Sequence, residues 1–288
     1  MRIAKRKRQS QRFALAPERL KQGRIEHHES KSQYLHNTRG IDVYLPPGYD
    51  AENFYCPVLY MHDGNNLFYP ELAFGGMPWG VDRVMDHLIS LQLIPPMMVV
   101  GVYNTLGRNS EYTWRPNGRE GGQGPAYARY LIEELKPFID TQYRTRKTPE
   151  FTGVMGSSLG GLISFSLGRY HPQVFGRIGM MSPSFWWRNG EALQEAQQFP
   201  KGLNLWLDMG TREGARKGVK VKNNPNIRNV RAMRSVLERR GYRECVDLGY
   251  LEDRGGLHNE WWWGQRLHLP LVFLFGHKNA QKRILRRN

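Results

Sequence analysis

Cysteine is scarce in this sequence of 288 residues, and long apolar runs are missing. Its two cysteines, Cys56 and Cys245, lie far apart without metal-site spacing, so neither a disulfide framework nor a zinc site is supported. We expect both to fill small spaces in the core. No apolar stretch is long enough to cross a bilayer, and the basic first residues lack the apolar region of a signal peptide. The sequence therefore predicts a cytoplasmic protein without membrane span, metal site or cofactor.

Acidic residues are outnumbered, with 26 Asp and Glu against 42 Lys and Arg, and the formal net charge is +16. The excess lies at the two ends. Nine basic residues face one acid in residues 1–24, and five basic residues without an acid occupy 277–288, which leaves +3 for the middle. We therefore predict basic tails at 1–22 and 277–288 around one domain at 23–276. Such tails would contact a polyanion non-specifically, although solubility or composition bias also accounts for them.

Strand and helix patterns alternate through the middle of the chain. A loosely alternating hairpin between residues 24 and 45 is predicted to form antiparallel edge strands. Strand patterns follow at 56–62, 97–103, 177–181, 203–208 and 245–251, and helical patterns at 81–91, 126–142, 191–198, 227–240 and 264–275. Residues 104–124 show no clear periodicity, which predicts a functional or disordered loop. The order indicates a doubly wound, mostly parallel α/β sheet with an N-terminal antiparallel hairpin.

The stretch 151–165 places Gly156, Ser158 and Gly160 in a G-x-S-x-G pattern between a strand and a helix. A strand that turns at once into a helix needs small residues two positions to either side of the turn. Such a turn would hold the Ser158 hydroxyl at the carboxyl end of a strand, above the free N–H groups of a helix. This is the pattern of a nucleophile elbow, and a turn that only packs a helix on a sheet is the alternative.

A serine nucleophile needs a base and an acid, which in an open α/β sheet are expected in loops after later strands. His258 follows the last strand pattern in a loop that contains two glycines, and it is the predicted base unless it only packs beside tryptophans. Glu213, in the loop after the strand at 203–208, is predicted to orient and stabilise the protonated imidazole. Asp208 and Asp253 stay open as alternative acids.

A tetrahedral intermediate also needs two N–H donors for its oxyanion. One is predicted to be the backbone N–H of Leu159, directly after the serine. The other is predicted in the loop after the strand at 56–62, at Asn65, with Gly64 as the neighbouring alternative.

Several motifs occur in a collinear order that is typical of one family. In chain order they are Val43-Tyr-Leu-Pro-Pro-Gly-Tyr49, His62-Asp-Gly-Asn-Asn-Leu-Phe68, Gly156-Ser-Ser-Leu-Gly-Gly161, Gly210-Thr-Arg-Glu213 and Gly256-Leu-His-Asn-Glu260. Over about residues 23–276 the sequence resembles the esterase D or putative-esterase family of α/β-hydrolases, which includes enterochelin, feruloyl and acetylxylan esterases, S-formylglutathione hydrolases and mycolyltransferases. The resemblance implies an α/β-hydrolase fold, a triad of Ser158, His258 and Glu213, and an oxyanion hole at Asn65 and Leu159. It does not explain the basic tails, a basic loop at 216–222 or the run Trp261-Trp262-Trp263.

Together the residues and the resemblance predict a serine carboxylic ester hydrolase that works through an acyl-enzyme. Two alternatives stay open: an acyltransferase on the same scaffold, and a catalytically inactive hydrolase-fold protein that binds through its basic tails. The predicted partner is a small-molecule ester, with glycoside or siderophore-like esters as candidates.

Tryptophans fall in several of the predicted loops. Four of them are candidate substrate-binding residues, because their rings would stack on a sugar or an aromatic acyl group, although they would equally pack beneath the loops. They are Trp79, Trp114, Trp187 and Trp262. Basic side chains in the loop at 216–222 would favour an anionic substrate or form a solvated surface: Lys217, Lys220 and Lys222.

Overall fold

The computed structural model describes residues 22–214, 221, 224–277 and 280–281. Eight of its strands form one sheet in the order β1-β2-β4-β3-β7-β8-β9-β10, and β5 pairs with β6 in a separate hairpin. The strands are β1 (Arg24–Lys31), β2 (Thr38–Leu45), β3 (Val58–His62), β4 (Met98–Val102), β5 (Pro116–Asn117), β6 (Glu120–Gly121), β7 (Thr152–Ser157), β8 (Arg177–Met181), β9 (Asn204–Gly210) and β10 (Leu248–Asp253).

Six neighbouring strands of the sheet, from β4 to β10 in spatial order, run parallel. At the other edge β1 pairs antiparallel with β2, and β2 pairs antiparallel with β4. This confirms the predicted mostly parallel sheet with an N-terminal antiparallel hairpin. Because the carboxyl ends of parallel strands meet along one side of the sheet, the loops after β3, β7, β8, β9 and β10 are neighbours.

Helices cover both faces of the sheet. They are α1 (Val81–Ser90), α2 (Arg108–Glu111), α3 (Gly124–Arg129), α4 (Lys136–Gln142), α5 (Leu159–Tyr170), α6 (Glu191–Glu195), α7 (Pro225–Arg239), α8 (Glu260–Arg266) and α9 (His268–Phe275). A π-helical segment, Tyr130–Leu135, joins α3 to α4. Within the described ranges, no helix has both the length and the apolar character that crossing a membrane requires.

Alternation along β3 divides the core into two layers. Tyr60 packs in the layer that contains α3, α5 and α7, whereas Leu59 and Met61 pack in the layer that contains α1 and α9. All five residues of β3 are buried, as the continuous apolar run predicts for a strand covered on both faces. Burying one such large apolar side chain stabilises the fold by about 1.5–3 kcal/mol.

Four details differ from the sequence-based expectations. The segment 104–124 contains α2 and the β5–β6 hairpin, and β2 is an interior strand because β4 pairs with its second edge. Cys245 is exposed rather than in the core, since it lies in the turn before β10, whereas Cys56 is buried. The run Trp261–Trp263 belongs to α8, because Asn259 caps that helix by accepting from the Trp262 N–H.

The predicted tails at 1–22 and 277–288 and the basic loop at 216–222 lie outside the described residues, apart from residues 22, 221, 277, 280 and 281. The lysines predicted to favour an anionic substrate, at 217, 220 and 222, are among those outside it. The domain boundaries at 23 and 276 stay predictions.

Candidate active site

Ser158 stands at the turn between β7 and α5. Its backbone has φ 57° and ψ −122°, a left-handed conformation that a residue with a side chain adopts only under strain of about 1–3 kcal/mol. A Cβ added to Gly156 would lie 2.9 Å from the backbone carbon of Gly160, so the strand and the helix approach too closely there for larger residues. The half-buried Ser158 hydroxyl is thereby held at the carboxyl edge of the sheet.

His258 and Glu213 reach the same place from the loops after β10 and β9. His258 Nε2 lies 2.9 Å from Ser158 Oγ, and His258 Nδ1 lies 2.7 Å from Glu213 Oε2. Because a carboxylate only accepts hydrogen bonds, Nδ1 carries the hydrogen, and in the neutral ring Nε2 is left to accept from the serine. The three side chains therefore form one continuous chain of hydrogen bonds across 100 residues of sequence.

The environment of Glu213 favours its ionised form. Burial alone would raise the pKa of this carboxyl, but hydrogen bonds from His258 and Ser182 and the charge of Arg266 outweigh it and lower the pKa. Its second oxygen, Oε1, accepts from Ser182 Oγ at 2.6 Å and from the Gly210 N–H at 2.8 Å. A buried carboxylate with this many donors is held in one orientation.

The two alternative acids lie nearby but have another partner. Asp208 accepts from Arg266 Nη2 at 2.9 Å and from the indole of Trp206 at 2.7 Å, and Asp253 accepts from Arg266 Nη1 at 3.1 Å. Burial raises the pKa of both carboxyls, although the Arg266 charge opposes it. All three candidate acids thus meet at one guanidinium, and among them Glu213 is the one that also contacts His258.

Of the two predicted oxyanion donors, one directly follows the serine in sequence and the other lines the same cavity. Leu159 is the first residue of α5, where backbone N–H groups have no partner within the helix. Asn65 lines the same cavity as Ser158, in the 3₁₀ turn Gly64–Asn66 after β3. A Cβ on Gly64 would lie 2.4 Å from the backbone of Gly101, so this turn packs directly on β4 and its position is tightly defined.

A cavity of about 450 Å³ opens above Ser158 and is called here the Ser158 cavity. The side chains of Arg108, His258, Glu260 and Trp263 line it, together with the exposed apolar Leu72 and Phe74. Burial raises the pKa of Glu260. Across the described part of the chain, no three His, Cys, Asp or Glu side chains cluster as metal ligands.

The four candidate tryptophans do not line the Ser158 cavity in the described structure. The Trp114 ring stacks on Tyr170 at 4.4 Å, and Trp187 is buried with its indole N–H donating to a backbone carbonyl. Trp79 is buried against Trp263, and Trp262 packs edge-on against Trp261. These rings therefore pack against the protein itself, and the tryptophan that does line the cavity is Trp263.

Sequence reasoning missed several residues that surround Ser158, His258 and Glu213. Trp263 packs edge-on against the His258 ring at 4.9 Å, and Ser184 Oγ lies 3.2 Å from Ser158 Oγ. Arg108 Nε and Nη2 donate to the two oxygens of Asp63 at 2.6 and 2.8 Å beside the cavity. Residues 182–187 directly follow the strand pattern at 177–181, and that position at the carboxyl edge is the signal that would have indicated Ser182 and Ser184.

A mostly parallel sheet whose elbow serine meets a histidine and a carboxylate from later strands is the architecture of α/β-hydrolase-fold enzymes. Comparison with known proteins narrows this class. The family model described as Putative esterase matches residues 32–273. The chain therefore belongs to this family, whose activity is that of a carboxylic ester hydrolase.

Individual relatives agree with the family assignment. The uncharacterized protein YbbA of Bacillus subtilis is 24% identical over 258 residues, which cover 86% of this chain and 96% of that protein. The ferri-bacillibactin esterase BesA of the same organism is 27% identical over 212 residues, which cover 65% of this chain and 69% of BesA.

Solved structures show the same fold. The enterobactin esterase FES of Shigella flexneri superposes with a TM-score of 0.68 at 22% identity over 87% of this chain, which spans 58% of that protein's length. The BES protein of Bacillus cereus superposes with a TM-score of 0.66 at 19% identity, over 96% of this chain and 100% of that one.

Proposed function

We propose that this chain hydrolyses a carboxylic ester through a covalent acyl-enzyme on Ser158, with His258 as general base and Glu213 as its acid partner. The observation that carries the proposal is the unbroken hydrogen-bond chain from Glu213 through His258 to Ser158. A serine is a weak nucleophile without a base in contact, and the chain supplies that contact together with a group that orients it.

In the first step, Ser158 Oγ attacks the ester carbonyl carbon while its proton passes to His258 Nε2. The bond to the alcohol oxygen then breaks as His258 returns this proton to the leaving alcohol. Water then attacks the acyl carbon while His258 takes one of its protons, and the bond from that carbon to Ser158 Oγ breaks as His258 returns the proton to Oγ and the carboxylic acid leaves. Glu213 stays ionised and stabilises the imidazolium that forms in both steps, in line with its lowered pKa.

Negative charge develops on the carbonyl oxygen in each step. The backbone N–H of Leu159, at the positive end of α5, is the first proposed donor to this oxyanion. The backbone N–H of Asn65 is the second, and it is supported by the position of Asn65 in the wall of the Ser158 cavity. Removing one such donor typically costs about 10²–10³ in kcat.

For the substrate, we propose a siderophore-like or other small-molecule ester with an apolar or aromatic portion. BesA is named as a ferri-bacillibactin esterase and FES as an enterobactin esterase, and the name of another relative, from Emericella nidulans, calls enterobactin a siderophore. Leu72 and Phe74 line the Ser158 cavity with much of their side chains exposed, and exposed apolar side chains at a cavity commonly mark a binding surface. A panel of siderophore, feruloyl, acetyl-sugar and thioester substrates would rank the candidates by kcat/KM.

The proposal is tested with p-nitrophenyl esters of short acids. The wild-type chain is expected to release a burst of p-nitrophenol, and Ser158→Ala is expected to lose at least about 10⁴-fold in kcat. Ser166→Ala is the matched control, because its buried hydroxyl donates to a carbonyl within α5 and contacts no part of the site. Turnover in Ser158→Ala equal to that in the control would exclude the proposed nucleophile.

The same assay separates hydrolysis from the alternatives. With a second alcohol added, an acyltransferase would form a new ester in preference to the free acid, whereas we expect the acid to predominate. Salt-sensitive RNA binding without ester turnover would favour the inactive binding protein. Contact of the basic tails with a polyanion stays a prediction.

A further inference from the structure

Ser182 directly follows β8 and lies beneath the triad. Its backbone has φ 42°, in the left-handed region, although the residue is not glycine. The Ser182 N–H donates to the Asp208 carbonyl at 3.0 Å, so the backbone of the next strand holds this turn in place. Ser182 is buried, and no step of the proposed mechanism uses it.

The Ser182 hydroxyl has three partners within hydrogen-bond distance. They are Trp263 Nε1 at 2.9 Å, Arg266 Nη2 at 2.7 Å and Glu213 Oε1 at 2.6 Å. The indole and the guanidinium have only hydrogens to donate, so both occupy the acceptor positions of the serine oxygen. The single hydroxyl hydrogen must therefore point at Glu213.

This arrangement divides the two oxygens of Glu213 between different tasks. Oε1 accepts from Ser182 and from the Gly210 N–H, which leaves Oε2 for His258 Nδ1. Arg266 itself is 3.4 Å from Glu213 Oε1 but 2.9 Å from Asp208. The guanidinium therefore acts on Glu213 chiefly through the serine that it also contacts.

We propose that Ser182 is a positioning residue of this triad, whose hydroxyl is oriented by Trp263 and Arg266 so that it holds the Glu213 carboxylate ionised and aimed at His258. The inference rests on the proposed function, because it assigns a task only if Glu213 serves His258 in catalysis. It goes further by adding a fourth side chain, from the end of a different strand, to the three expected from the sequence.

The strained backbone of Ser182 supports a requirement for its side chain. Glycine adopts positive φ without penalty and would suit this turn better if only the turn mattered. The glycine variant therefore separates the two contributions. Ser182→Gly removes the hydroxyl and relieves the backbone, whereas Ser182→Ala removes the hydroxyl and keeps the strain.

The charged groups around the hydroxyl define a pH readout. They are Glu213, Asp208, Asp253 and Arg266 behind it and His258 beyond Glu213. The hydroxyl places the positive end of its dipole against the Glu213–His258 pair. Removing it makes the pair easier to protonate, so the acidic limb of the kcat/KM profile should move to higher pH.

The experiment compares wild type, Ser182→Ala, Ser182→Gly, Ser158→Ala and the buried-serine control Ser166→Ala in the p-nitrophenyl ester assay. Both Ser182 variants are expected to lose about 10–100-fold in kcat, with KM changed less than about twofold and the acidic limb moved up by about half a pH unit or more. Ser182→Gly is expected to melt no lower than Ser182→Ala.

Several outcomes would overturn the inference. One is wild-type kcat and an unmoved acidic limb in both Ser182 variants while Ser158→Ala is inactive; the proposed function would then stand without a task for Ser182. Another is a loss of kcat that follows melting temperature across the two variants with no change in the limb, which would make Ser182 structural. Undiminished turnover in Ser158→Ala would instead refute the proposed function itself.

Discussion

Two carboxylate–guanidinium pairs lie near the candidate active site, and they differ in their access to solvent. Arg266 pairs with Asp208 behind His258, where the side chains are 5% and 0% exposed. Arg108 pairs with Asp63 beside the Ser158 cavity, where the side chains are 27% and 7% exposed. The chemistry of the two pairs is the same, but only the second lines the space that a substrate would enter.

The comparison shows how burial separates two tasks at one edge of a sheet. Water does not reach a buried ion pair, so the pair holds its neighbouring groups in a fixed geometry. Removing either partner leaves the other charge buried and unpaired, which strongly destabilises the fold. A pair that lines a cavity keeps donors within reach of a ligand. We therefore assign the Arg266–Asp208 pair, called here the closed side, to organisation of the proposed triad. The Arg108–Asp63 pair, called here the open side, is assigned to contact with substrate.

The sharpest test of the Arg266–Asp208 side compares Asp208, a carboxylate within β9, with Glu213, a carboxylate in the loop after it. Glu213→Gln is expected to lower kcat by about 10³–10⁴, because the imidazolium loses its charged partner. Asp208→Asn is expected to keep kcat within about tenfold but to lower the free energy of unfolding by about 3–5 kcal/mol, because it leaves Arg266 buried without its closest charge. Steady-state kinetics and urea unfolding measure both. A large loss of kcat in Asp208→Asn together with wild-type kcat in Glu213→Gln would make Asp208 the acid that serves His258.

Replacing each arginine by methionine compares the two sides directly. Arg266→Met is expected to lower the free energy of unfolding by about 3–5 kcal/mol, since three carboxylates lose their shared cation. Arg108→Met is expected to destabilise by less, about 1–2 kcal/mol, and to raise KM several-fold. Denaturant unfolding and Michaelis constants provide the readouts. Equal destabilisation with unchanged KM in Arg108→Met would contradict the division of tasks.

The dependence of stability on pH tests the buried His62, which lies beside the Arg108–Asp63 pair. His62 precedes Asp63, and burial lowers the pKa of its ring to about 3. The unfolded chain, with a histidine pKa near 6.5, takes up this proton first. Stability is therefore complete above about pH 6.5 and falls as the pH drops, by up to about 1.4 kcal/mol per pH unit.

We expect His62→Gln to have a shallower loss of unfolding free energy between pH 6.5 and 5 than wild type. The lowered pKa values of His171 and His268 act in the same direction, so some slope should remain. A slope in His62→Gln identical to that of wild type would argue against a neutral, buried His62.

The smallest expected effect is at the apolar wall of the open side. Phe74→Ser is expected to raise KM for esters of aromatic acids about threefold and to leave kcat and melting temperature unchanged, since its ring is 76% exposed. Tyr55→Ser, which removes an exposed ring away from the Ser158 cavity, is the control. A KM equal to that of the control would remove Phe74 from the substrate surface.

Local chemistry explains why the elbow and the sheet were predictable. The two small residues that flank Ser158, Gly156 and Gly160, are required by the tight turn between strand and helix. The apolar run of β3 is required because that strand is buried on both faces. Neither depends on a distant partner. The order of Ser158, Glu213 and His258 follows from strand ends that share one edge, which the alternation of strands and helices already indicated.

The tryptophans show what such reasoning leaves open. Trp114 lies in an irregular segment and Trp187 begins a short 3₁₀ helix outside the sheet, but one ring stacks on Tyr170 and the other packs inside the fold. An indole ring buries a similar apolar area whether it packs on a ligand or on the protein itself, so the residue type does not distinguish the two. Which partner covers the ring depends in both cases on a residue more than 50 positions away in sequence, Tyr170 for Trp114 and Arg115 for Trp187.

The sequence by itself determined the class of sheet, the strained turn at Ser158 and the small set of acids and bases placed to serve it, because each depends on short-range pattern. Only the tertiary structure decided which of three carboxylates meets His258. Arg266 and Ser182, which are 84 residues apart, hold the acids in place: the guanidinium lies closest to Asp208, and the Ser182 hydroxyl contacts Glu213. A hydrogen-bond partner at such a separation depends on how strands and helices pack, and the residue types at those positions do not express it.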